Sequence, residues 1–112
     1  MEDLELEKSK AFILVEIIEY VPNAVVIKTI IKKTTGNITA VSFDSGEALP
    51  ERISPFDIFI QVIEGKAEML INDSSKILDT GQSIIIPAHS HHTITANVRF
   101  KMLSTIIKSG YE

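Results

Sequence analysis

Short apolar runs rich in β-branched residues, each closed by a turn signal, fill the chain from residue 24 to residue 107. They read AVVIKTII, NITAVSF, FDIFIQVI, KAEMLI, KIL, QSIII, HTITA and RFKMLSTII. Runs of this length and spacing predict antiparallel strands of a sandwich or barrel, with no helix after residue 23. NDSS between KAEMLI and KIL predicts a tight hairpin turn, because Asn and Asp tolerate positive φ. DSGEALPE reads as a turn-rich connection, and FDIFIQVI as a strand ending at Gly65. AFILVEIIEY, residues 11–20, is apolar almost throughout and predicts either a short helix or an edge strand. The ten residues before it, MEDLELEKSK, are charged and read as a frayed or capping extension.

Alternation assigns faces. Phe56, Ile58, Ile60 and Val62 share one side of their strand; Asp57, Phe59, Gln61 and Ile63 share the other. Both sides are largely apolar, whereas a sheet with one wet face is more polar outside. The outer face is therefore expected to be covered, by the N-terminal segment or by a second copy of the chain.

Composition narrows the class. The chain has 112 residues, 45% hydrophobic and 23% charged, which fits one domain spanning 1–112. The barrel core is expected over about 24–107, with 1–23 as an N-terminal extension or an edge or dimer segment. The net charge is −4 and the Lys and Arg residues are scattered, which argues against nucleic acid as a partner. The absence of cysteine excludes disulfides and thiolate metal ligands and is compatible with a reducing cytosol. No run is long enough to span a bilayer as a helix, and the N-terminus lacks a signal-peptide pattern. The expectation is a cytoplasmic protein without a membrane partner.

Two segments carry a more specific signal. In the first, Gly46 is followed by Arg52-x-Ser54, then Ile58, then Gly65; in the second, Gly81 is followed by Pro87, His89, His92 and Ala96. The spacing resembles the two motifs of the cupin superfamily, and KKTTGNIT, SPFD and RFKML are similar to its small single-domain bacterial members. The resemblance implies an all-β fold: a double-stranded β-helix, or jelly-roll barrel, of mostly antiparallel strands, with or without a short N-terminal helix. Gly65 and Gly81 are expected at strand ends with positive φ, and Pro87 to end QSIII because it cannot donate to a ladder.

In cupins two motif-1 histidines, a motif-1 glutamate and a motif-2 histidine hold a divalent metal inside the barrel. Carried over by position, these become Arg52, Ser54, Ile58 and His92. A catalytic zinc or iron site needs about three protein ligands and an open position, and one imidazole does not supply them. Arg52 stays protonated, and a unit charge about 5 Å from a divalent ion at an effective dielectric near 20 repels it by several kcal/mol. Alternatively Arg52 turns out to an ion pair with Glu47, Glu51 or Asp57, which is the favoured placement. Ser54 is read as either a ligand contact or a local backbone partner. His89 and His91 are expected at the barrel mouth and His92 inside it. Tyr20 and Tyr111 carry no signal.

The function so implied is a binding module for a small anion such as a carboxylate, with a degenerate metal site and no cofactor. Arg52, Ser54, Ile58 and His92 would line its mouth, with Ile60 and Met102 deeper. A homodimer is the expected assembly. The alternative is a metal-dependent dioxygenase or isomerase holding Zn, Fe, Mn or Ni through His89, His92 and His91. A dimer with a filled interior and no ligand is a third.

Overall fold

The computed structural model describes residues 5–111. Its strands are β1 Val25–Lys33, β2 Gly36–Phe43, β3 Ala48–Ile53, β4 Ile58–Ile71, β5 Ser74–Asp79, β6 Ser83–Ile86, β7 His91–Thr95 and β8 Phe100–Ile107. Every pairing is antiparallel. The barrel is the expected jelly roll, and the sequence runs map onto it with three corrections.

First, FDIFIQVI and KAEMLI are one strand. β4 passes through Gly65 and bends there, its ladder to β8 slipping between Val62 and Glu64. Before the bend β4 pairs β6 and β8; after it, β5 and β7. It thereby joins a sheet ordered β1-β2-β8-β4-β6 to a second ordered β3-β7-β4-β5. Gly65 has φ 91, and a Cβ there would lie 2.3 Å from the Arg99 carbonyl oxygen. The position requires glycine for both its backbone and its space, although it does not end the strand.

Second, the segment read as a turn contains β3. Its residues are mostly exposed and Pro50 interrupts its ladder to β7, as suits an edge strand. Third, residues 11–20 form no edge strand, and the expected short helix is reduced to one turn. A single 3-10 turn, Leu14–Glu16, is the only helical element among the described residues. The segment is a strap laid over the outer face of β1, β2 and β8. Ile18 packs there against Ile30 and Ala40, with Leu6, Leu14 and Ile17 beside it. The strap covers one part of the apolar outer face; Phe59 and its ladder partner Ile85 stay exposed. Residues 1–4 of the expected extension lie outside the described residues.

Polar anchors fix the strap. The Leu6 amide donates to the Ile30 carbonyl and the Lys32 amide to Glu5. Ser42 donates to the Glu19 carbonyl, and the buried Lys101 ammonium to the Val15 carbonyl. Tyr20, which carried no signal in the sequence, donates to Glu64 at 2.6 Å with Arg99 and Lys101 each 5.0 Å from its ring. Burial, then the Glu64 carboxylate, pushes the Tyr20 phenol well above its ordinary range.

The NDSS hairpin forms as expected: Asn72 and Asp73 have φ 47 and 67 between β4 and β5. Pro87 follows the last residue of β6. Inward residues of the first sheet stack in levels set by register. Phe43 and Phe100 are paired, fully buried and stacked 4.4 Å apart at one end. Val41, Met102 and Val62 form the next level; then Thr39, Ser104 and Ile60; then Asn37, Ile106 and Ile58. The Phe43–Phe100 level closes that end, and the levels beyond it border a cavity.

Candidate functional site

The cavity lies between the two sheets and has a volume of about 440 Å³. All six sequence-predicted binding residues, Arg52, Ser54, Ile58, His92, Ile60 and Met102, line it. Its wall is mainly apolar, and the exposed Ile27 and Ile53, on edge strands β1 and β3, mark its opening. Met102 stands one level deeper than Ser104, and Ile60 one level deeper than Ile58.

Arg52 on β3 is the direct ladder partner of His92 on β7. The expected ion pair is not made: among the described residues no carboxylate pairs with Arg52. Alternation explains part of this. Glu51, one residue away, points to the other face and meets His91 at 3.7 Å. Asp57 accepts from the Ala88 amide. Arg52 is left exposed at the cavity with its charge uncompensated by any described side chain.

His92 is 6% exposed, and its Nδ1 is buried without a hydrogen-bond partner. Burial lowers its pKa from the ordinary 6.5; the Ser90 backbone opposes this and the Arg52 charge adds to it. The cavity therefore presents one fixed cation and one neutral imidazole.

Ser54 contributes less than its position suggests. Its hydroxyl donates to the Phe56 carbonyl and accepts from the Phe56 amide, closing a local turn. That turn is braced by the C-terminus: the Asp57 amide donates to the Tyr111 hydroxyl, and the Tyr111 ring meets Phe56 edge-on at 5.6 Å. Tyr111, like Tyr20, was opaque in the sequence because its partners lie far along the chain.

The other two histidines are not in the cavity wall. His91 alternates to the outer face. His89 is exposed in the loop before β7, at the position where the family pattern has glycine. It keeps the glycine conformation, with φ 66, and its amide donates to the Ser54 carbonyl. Among the described residues no three His, Asp or Glu side chains converge as a metal ligand set. The residues at the ligand positions that the resemblance implies do not make a metal ligand set: Arg52 and Ile58 cannot ligate one, the Ser54 hydroxyl is engaged with the Phe56 backbone, and His92 alone is too few. The alternative set of His89, His91 and His92 is likewise not assembled.

Asn37, Thr39 and Ser104 also face the cavity, on the wall opposite β3 and β7. Sequence reasoning missed them because polar residues inside NITAVSF and RFKMLSTII look like outward positions until register is known.

No family model matches the chain, and no curated protein matches it. Solved structures do. A conserved Streptococcus pyogenes protein of unknown function is 24% identical with a TM-score of 0.89, covering 98% of this chain and 96% of that one. A cupin superfamily protein from Desulfitobacterium hafniense is 25% identical with a TM-score of 0.86, covering 96% and 98%. A cupin 2 conserved barrel domain protein from Leptotrichia buccalis is 30% identical with a TM-score of 0.83; the match covers 87% of this chain but 47% of that one. No helix among the described residues is long and apolar enough to cross a membrane.

Proposed function

The chain belongs to the cupin superfamily, and on that barrel we propose that it binds a small carboxylate between its two sheets. The fold hosts many activities and does not choose among them. The observation that carries the reading is Arg52, a guanidinium at an apolar cavity with no ion-pair partner among the described residues, set across the ladder from a buried imidazole with an unpartnered nitrogen.

An arginine fork matches a carboxylate with two parallel charge-assisted hydrogen bonds. Low-dielectric walls of Ile58, Ile60, Ile86 and Ile94 strengthen that attraction relative to open water. They also bury the ligand's hydrocarbon, at about 0.8 kcal/mol per methylene. His92 stays neutral beside Arg52, so it adds a hydrogen-bonding nitrogen without a second desolvated charge. A degenerate metal position belongs to the same reading, since Arg52 stands where the family pattern has a ligand. A metal-dependent reaction has no comparable support in the side chains present.

The test is calorimetric titration with straight-chain monocarboxylates, beside the Arg52→Gln variant. Saturable binding weakened about tenfold or more in the variant supports the reading. Binding of equal strength in both proteins overturns it.

A further inference from the structure

We infer that the ligand carries a hydroxyl or carbonyl group at the end remote from its carboxylate, read by Thr39, Ser104 and Asn37. The inference rests on the proposed carboxylate site and adds the class of molecule that fits it.

The cavity has two polar ends. One is Arg52 with His92, on the wall of β3 and β7. The other stands on the first sheet, where Thr39 and Ser104 are direct ladder partners on β2 and β8. Asn37 lies two residues from Thr39 on the same face of β2. Between the ends the wall is apolar, with Ile58, Ile60 and Met102 among its residues.

The second group is chemically distinct. It is neutral, half-buried, and offers two hydroxyls and one amide, each able both to donate and to accept. None of these three side chains makes a hydrogen bond to another described residue, unlike Ser42, Ser54, Thr80 and Ser90, whose hydroxyls all donate to backbone carbonyls. Three such side chains on one inward patch are costly to cover with hydrocarbon, because each then loses its water and gains nothing. A plain fatty carboxylate that fills the cavity imposes that loss. A ligand ending in a hydroxyl or carbonyl repays it, so the site discriminates between the two. A second carboxylate at this end lacks the cation that a buried charge requires.

The probes are straight-chain monocarboxylates from butanoate to octanoate, each with its terminal hydroxy analogue, titrated calorimetrically into the full chain. At the best-fitting length the hydroxy acid is expected to bind about tenfold or more tightly than its plain counterpart. The double variant Thr39→Val, Ser104→Ala removes hydroxyls with little change of volume and is checked for an unchanged melting transition. It should erase or reverse the preference while leaving affinity for the plain acid equal or higher. Arg52→Gln should weaken both ligands together. If plain and hydroxy acids bind equally at every length and Arg52→Gln weakens both, the two-ended site is overturned and the carboxylate site stands. If neither class binds, the carboxylate reading fails and takes this inference with it.

Discussion

Arg52 stands directly across the β3–β7 ladder from His92, and among the described residues no carboxylate pairs with it. The cupin motif that the sequence resembles implies a metal ligand at the Arg52 position. Here a permanent cation occupies it, and the proposed reading is that the site takes an anion.

Geometry as well as charge is predicted to matter at Arg52. Arg52→Lys retains the positive charge but loses the planar fork, so carboxylate affinity should fall about tenfold while the melting temperature stays put. The side chain is exposed and makes no ion pair among the described residues, so its replacement falls within the roughly ±0.5 kcal/mol typical of surface changes. Calorimetry and thermal melts of the variant check both halves. Equal affinity would remove the bidentate contact from the account.

The buried imidazole sets a pH dependence with a definite sign. His92 has its pKa lowered in the fold, so the unfolded chain binds its proton more readily. Its contribution is complete above the unfolded value of about 6.5 and declines as pH falls through that value toward the folded pKa. Melting temperatures measured across this window should fall more steeply for the wild type than for His92→Gln. A proton titration followed by NMR should place the His92 midpoint below 6.5. A midpoint above it contradicts the burial argument.

Two backbone positions give opposite stability predictions. His89 holds φ 66, a left-handed conformation that costs a non-glycine residue on the order of 1 kcal/mol. His89→Gly should stabilise by about that amount in denaturant unfolding. Gly65→Ala meets both a φ of 91 and a Cβ position 2.3 Å from the Arg99 carbonyl oxygen, and should destabilise by roughly 3 kcal/mol or more. A neutral result at Gly65 would mean that the β4 bend is not held as described.

The hydroxyl of Tyr20 ties the strap to β4. Tyr20→Phe removes its bond to Glu64 and should cost about 1 kcal/mol. Amide hydrogen exchange should quicken first in the strap, at Leu6 and at Lys32 across from Glu5. Unchanged protection there would show that the apolar contacts of Ile17 and Ile18 hold the strap without Tyr20.

Much of this architecture was legible in the chain. Alternation placed Ile58, Ile60 and Val62 on the buried face and the motif spacing pointed His92 inward, whereas Arg52 was expected to turn out to an ion pair and Ser54 was left open. What escaped was non-local. β4 looked like two strands because Gly65 signals a stop, whereas here it permits a bend under the closely crossing backbone of Arg99 and Phe100. β3 was hidden because Pro50 and its charged neighbours read as a turn, and an edge strand needs few apolar residues. The unpaired state of Arg52 depends on where Glu51 and Asp57 point, which only the register of β3 against β7 and the loop at Ala88 decide. The roles of Tyr20 and Tyr111 rest on partners 44 and 54 residues away, beyond any local pattern.

The most direct measurement is elemental analysis of untagged protein purified without chelators. The account predicts transition metal far below stoichiometric amounts, in the wild type and in His92→Ala alike. A full equivalent of iron, zinc, manganese or nickel that disappears in His92→Ala would contradict it.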